Sequence, residues 1–116
     1  MRDDRSRLND IREALEKIDR YTSRGKESFF SDELVQVWVI HHLQMIGEAT
    51  NGISMVTRER YPAIPWGKII GLRNILVHHY FAINASEIWA VVERDIPPLC
   101  SVVHRILDEM ADNPLS

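Results

Sequence analysis

Between about Asp4 and Arg24 the apolar positions Leu8, Ile11, Leu15 and Ile18 recur three and four residues apart, with arginine, aspartate, glutamate and lysine between them. That spacing predicts an amphipathic helix with one stripe turned to a core and a solvated outer face. Gly25 supplies its stop. Ser31 followed by Asp32 and Glu33 reads as an N-cap with acidic residues in the first turn. It opens a second helix carrying Leu34, Val35, Trp38, Val39, Leu43 and Ile46. This helix is apolar on several sides and is expected to run into the fifties, with Gly47 or Gly52 as points of loosening. It must end before the turn-forming Tyr61-Pro62-Ala63-Ile64-Pro65.

A third helix is predicted from Trp66 to about His79, with Pro65 where a helix start tolerates proline. Its stretch Ile69-Ile70-Gly71-Leu72-Arg73-Asn74-Ile75-Leu76-Val77 is nearly apolar all round, so it is expected to be the central and most buried element. Two further helices are expected over Ser86–Arg94 and Ile96–Ala111, divided where Asp95, Pro97 and Pro98 give a fresh N-terminus. No stretch alternates as a strand between hairpin turns. The expected fold is therefore all-α, an antiparallel bundle of about four to five helices forming one domain over residues 1–116.

Composition narrows the function. A chain of 116 residues with 45% hydrophobic content fills a single core. Its formal net charge of −3 argues against a broad basic face for nucleic acid, so any RNA contact must be local. Neither a Walker nor a Rossmann phosphate loop is present, which disfavours nucleotide-dependent catalysis by this chain. No apolar run reaches the roughly 18–20 residues that span a bilayer, and the N-terminus is charged where a signal peptide is apolar. The lone Cys100 has no cysteine to pair with. The expected compartment is a reducing cytoplasm, with no membrane as partner.

The anomaly is Arg73-Asn74 in the middle of the most apolar helix, followed after three apolar residues by His78-His79-Tyr80. A buried guanidinium is costly unless it is paired or faces a wet cleft. On a straight helix Arg73 and Tyr80 share a face about 10 Å apart, whereas Arg73 and His78 lie roughly 140° apart around the axis. Two copies meeting across a twofold axis would let each arginine and histidine line one cleft, which predicts a homodimer. The residue types suit RNA cleavage by attack of a 2′-hydroxyl on its phosphate. Histidine moves protons near neutral pH, and arginine offers a fixed planar cation to the phosphate oxygens. Asn74 could orient phosphate or imidazole, and Tyr80 could stack on a base or bind phosphate. The alternative is structural: Arg73 pairs in the core with a carboxylate such as Glu48, and the histidines cap or face solvent.

The segment from Arg73 to Tyr80 matches the arginine, four residues, histidine, one residue, tyrosine motif of HEPN ribonucleases, and most closely resembles the HepT toxins. Ile64-Pro65-Trp66, Gly71-Leu72, Tyr80-Phe81, Trp89 and Ile96-Pro97-Pro98-Leu99 resemble that family in the same order. The resemblance implies a homodimeric HEPN bundle with the active site at the subunit interface. There a metal-independent endoribonuclease would use Arg73 and His78 as catalytic residues, with Asn74 as helper. His79 fits a looser HEPN spacing, but Tyr80 two places after His78 fixes the stricter register. It also implies a type VII-like toxin–antitoxin system. A minimal nucleotidyltransferase antitoxin would transfer AMP from ATP onto Tyr80, so ATP is the partner's substrate and this chain has no cofactor. The RNA would be a tRNA or an mRNA. A rival reading is a non-catalytic HEPN module that binds and regulates a partner nucleotidyltransferase.

Other features attract blander expectations. His41 and His42 point about 100° apart with no third ligand in sequence, so packing or interface use is expected and no metal site is. Trp38, Trp66 and Trp89 are expected as core anchors, and Met45 and Met55 as gap fillers. Cys100 and His104 show no nucleophile-and-base arrangement. Lys68, Arg58 and Arg60 are candidate RNA contacts.

Overall fold

The first helix, α1 (Asp4–Thr22), begins where Asp3 accepts a hydrogen bond from the Ser6 N–H at 2.8 Å. Its predicted stripe is realised: Leu8, Ile11, Leu15 and Ile18 are all buried, and Ala14 joins them. In this computed structural model, residues 3–78 and 84–112 are described, His78 and Asp112 by their backbone alone. Gly25 ends the approach to the next element with φ at +104°, a left-handed backbone that favours glycine.

The segment after Gly25 departs from the expectation. Lys26–Ser31 forms a short helix, α2, which buries Phe29. Ser31 is its last residue, with its hydroxyl donating back to the Ser28 carbonyl. Asp32, at extended φ and ψ, is the residue that caps α3 (Glu33–Asn51), accepting from the Leu34 N–H at 3.0 Å. An N-cap must leave helical geometry, and Ser31 does not. α3 reaches Asn51, just into the fifties as expected. Gly52 ends it, Ile53 turns into the core, and Ser54 caps a separate helix, α4 (Met55–Arg60). Arg58 then reaches back to the last α3 carbonyls, Thr50 and Asn51, at 3.0 and 3.1 Å. These are carbonyls that a helix end leaves without an internal partner.

After the proline-bearing turn come α5 (Trp66–His78), α6 (Ala85–Arg94) and α7 (Ile96–Asp112). Asn84 caps α6 through a 2.9 Å bond from the Glu87 N–H. Asp95 divides α6 from α7, and Pro97 and Pro98 occupy the first turn of α7, as the sequence predicts. The described residues hold seven helices and no strand. The bundle is all-α as expected; α2 and α4 bring the number above four to five.

α1 lies antiparallel to α3, with the Trp38 indole N–H on the Lys17 carbonyl near one end and Ser54 on Asp4 near the other. α3 lies antiparallel to α5, and α7 covers α1 from another side. Leu8, Ile11, Leu15 and Ile18 meet Val39, Leu43, Ile46, Leu76, Val103 and Ile106 in this core. The central elements are therefore α1 and α3. α5 is not the most buried helix, because only Trp66 and Leu76 among its described side chains are buried, while Ile75 and Val77 are 47% and 43% exposed. A helix that is apolar all round needs partners on every side, and one chain provides α5 with a main partner on one. No helix among the described residues is long and apolar enough to cross a membrane.

Candidate active site

The site is built where α5 crosses α3 at a glycine. A Cβ on Gly47 would overlap the Cβ of Arg73 and stand 2.7 Å from its Cγ and 3.2 Å from its Cα. The two helices can approach this closely only because the side chain is missing. Gly47 is thus a point of contact and not of loosening, and α3 runs through it unbroken.

From this crossing the Arg73 side chain lies along α3. Its Nε and Nη2 both donate to Glu48 Oε1, at 2.9 and 2.6 Å, and its Nη1 donates to Asn74 Oδ1 at 3.0 Å. Arg73 keeps 27% of its side chain exposed and Glu48 59%. The carboxylate expected under the structural alternative is the one observed, but the pair sits at the surface and not in the core. Arg73 is not an isolated buried charge, as its apolar neighbours in sequence suggested. α5 lends only part of its circumference to the core, so a polar residue here can reach the rim.

His78 closes α5, about 7.5 Å farther along the axis than Arg73. Its side chain, together with His79 and Tyr80, lies outside the described residues. Of the predicted site the structure thus joins Arg73 to Asn74 and adds Glu48. Glu48 entered the sequence reading only as a structural partner. The signal that could have promoted it was Gly47, a glycine inside a long helix with no turn to make.

Beside the ion pair runs an open apolar face. On α3, Leu34, Val37, His41 and Met45 follow one another at helical spacing toward Glu48, and all are exposed, Leu34 by 80%. Met45 lies one turn before Glu48 and Val77 one turn beyond Arg73, and both are exposed. Met45 and Met55 are not gap fillers, since they are 42% and 61% exposed.

The remaining candidates are occupied elsewhere. His42 is buried against Trp38 and bonded to the Trp38 carbonyl at 2.7 Å; burial holds its pKa below the ordinary histidine value. His41 is exposed, its ring edge-on to that of His42. Among the described residues no three histidine, cysteine, aspartate or glutamate side chains are grouped to hold a metal ion. Trp66 anchors the core through indole N–H bonds to the Arg58 and Tyr61 carbonyls, and Trp89 packs on Phe29, whereas Trp38 is half-buried outside the core, bonded to the Lys17 carbonyl and packed between Tyr21 and His42. Lys68 is paired with Asp95 at 3.1 Å, Arg58 caps α3, and Arg60 lies over the Tyr61 ring. The Cys100 Sγ stands 3.5 Å from His104 Nδ1, but that nitrogen is 2.8 Å from the Cys100 carbonyl, and burial pushes the thiol pKa up. The arrangement does not make a thiolate nucleophile.

The family model described as "Ribonuclease HepT-like" matches residues 11–106, which contain Glu48, Arg73, Asn74 and the whole segment to Tyr80. The "Probable ribonuclease HepT" of Thermococcus cleftensis is 38% identical over 93 residues, 79% of this chain and 84% of its own. A "Putative RNase" of Methanocaldococcus jannaschii is 35% identical over 99 residues, 84% of this chain and 91% of its own. A second protein of that organism, named "Gamma-glutamylcyclotransferase and putative RNase", is 36% identical over 107 residues. The match takes in 91% of this chain but spans only 48% of that longer relative. No solved structure matches the chain. With the family model covering most of its length and several relatives above 30% identity, the chain belongs to the HepT-like ribonuclease family, an all-helical HEPN bundle.

Proposed function

We propose that this protein is a metal-independent endoribonuclease, the toxin of a type VII-like toxin–antitoxin system, working as a homodimer in a reducing cytoplasm. The observation that carries the reading is the Arg73 guanidinium, braced by Glu48 and Asn74 at the edge of an uncovered apolar face. A second subunit laid on that face would enclose the arginine in a cleft, with two copies of each motif residue contributing. The names carried by the relatives support RNA as the substrate class, with tRNA and mRNA both open to it.

In this reading one His78 imidazole takes the proton from a ribose 2′-hydroxyl, whose oxygen attacks the adjacent phosphorus. The bond from phosphorus to the 5′-oxygen breaks, and that oxygen leaves with a proton delivered by the second His78 or by water. The products are a 2′,3′-cyclic phosphate and a 5′-hydroxyl. Arg73 meets the charge that grows on the phosphate oxygens, and Asn74 orients them. His79 serves only if the looser spacing applies.

Neutralisation uses the same cleft. Attack of the Tyr80 phenol on the α-phosphate of ATP, catalysed by a minimal nucleotidyltransferase antitoxin with release of pyrophosphate, would place a bulky anion where the RNA phosphate must enter. ATP is then consumed by the partner, and this chain needs no cofactor. After co-expression with that partner, mass spectrometry should find the AMP on Tyr80.

One observation favours the rival reading of a non-catalytic module, since Glu48 already balances the Arg73 charge. Expression of the chain alone separates the two. Growth arrest that is relieved by Arg73→Ala and by His78→Ala, with the helical fold retained, supports the nuclease. Absence of toxicity, or toxicity undiminished in both variants, contradicts it.

A further inference from the structure

Arginine carries five N–H bonds in a rigid plane, so the bonds already made determine which edge it can offer. In Arg73 the side edge, formed by Nε and Nη2, is taken by a single oxygen of Glu48, and one Nη1 hydrogen is taken by Asn74 Oδ1. Two N–H bonds remain, one on each terminal nitrogen. These two unused donors, one on Nη1 and one on Nη2, are suited to phosphate oxygens. With its Oδ1 turned to the guanidinium, Asn74 has its amide N–H pair directed away from Arg73. Gly47 lets α5 come close enough for Arg73 to reach Glu48 along the surface of α3.

As a stability element this pair is weak, because the Glu48 side chain is 59% exposed and solvent screens such contacts. Its geometry is specific nonetheless, with two donors converging on one acceptor on a neighbouring helix. We propose that Glu48 is the positioning residue of the site, fixing the rotation of the Arg73 guanidinium so that its two unused N–H donors and the Asn74 amide face the scissile phosphate. The role rests on the ribonuclease reading. Glu48 touches no substrate. It also offsets the charge of Arg73, so ground-state RNA binding is restrained while the oriented donors act on the transition state.

Substitution at Glu48 tests this by steady-state cleavage of a fluorescent oligoribonucleotide, measured beside wild type and Arg73→Ala. Misplacing a catalytic group by about 1 Å can cost roughly 100-fold. E48A should lower kcat by about that factor while KM stays level or falls, since a negative charge has been removed near the phosphate. E48Q keeps an acceptor oxygen without the charge and should recover at least about tenfold over E48A, which a loss of charge balance alone would not produce. An independent readout needs no activity: in ¹⁵N spectra the Arg73 Nε–H should be resolved and slow to exchange in wild type and E48Q, and displaced and fast-exchanging in E48A. An active wild type whose E48A variant cleaves equally well or faster overturns the positioning role and leaves the nuclease reading standing. A wild type that cleaves no RNA overturns both.

Discussion

Gly47 and Arg73 occupy one crossing point, where the backbone of α3 touches the first carbons of the arginine side chain and a methyl group would find no room. The neighbour it would meet includes the Arg73 Cα, which cannot rotate away. Replacing Gly47 with alanine gains roughly 1 kcal/mol of helix propensity. Overpacking costs about 1–3 kcal/mol and dominates when backbone must move. Gly47→Ala should therefore lower stability by up to about 2 kcal/mol and displace Arg73 from Glu48, with RNA cleavage falling by at least tenfold. Gly52 provides the contrast, since its added methyl would meet only the flexible end of Arg7. Denaturant melts of the two variants check this, and equal costs would contradict it.

The exposed stripe on α3 sets the second prediction. Leu34, Val37 and Met45 are open in the single chain, so changing them to charged residues costs the monomer little. A subunit interface would lose far more. Sedimentation should give wild type at twice the 13.5 kDa of one chain. A Val37→Glu, Met45→Glu double variant should give one chain mass, an unchanged helical spectrum and little cleavage. A monomeric wild type at micromolar concentration contradicts the dimer.

Asp4 ties the start of α1 to α4, accepting from the Ser54 N–H at 2.9 Å, the Ser54 hydroxyl at 2.6 Å and the Thr57 hydroxyl. Burial raises the Asp4 pKa, but the bonds from Ser54 and Thr57 and the nearby Arg7 outweigh it, so the carboxyl titrates below the usual aspartate value. Because the folded pKa lies beneath the unfolded one, this contribution is fully present above about pH 4 and fades as pH falls through the folded pKa. Asp4→Ala should cost about 1–3 kcal/mol at pH 7. The difference from wild type should shrink in melts below pH 4, and a gap that held constant to pH 2 would contradict the assignment.

Legibility in the sequence depended on how local each cause was. The α1 stripe, the Pro97-Pro98 start of α7 and the Arg73 to Tyr80 motif are set by spacing along the chain, and the helices appear where spacing puts them. The motif's Arg73 and Asn74 prove to be in contact. α2 and α4 escaped because six residues are too few to show a period. The cap of α3 moved from Ser31 to Asp32 because two adjacent residues of equal capping power are separated only by where α2 happens to end. The burial of α5 was overstated because composition records how apolar a helix is and not how many neighbours it has. Glu48 was named as a partner for Arg73, but its surface position, with 59% of its side chain exposed, depends on the α3 and α5 crossing angle that no spacing encodes.

The decisive measurement is RNA cleavage by the purified protein in EDTA. The expected result is cut RNA with 2′,3′-cyclic or 3′-phosphate ends, at a rate reduced roughly two to four orders of magnitude by Arg73→Ala or His78→Ala. Cleavage that stops in EDTA and returns with a divalent ion, or that survives both substitutions, would contradict metal-independent catalysis by this arginine and histidine.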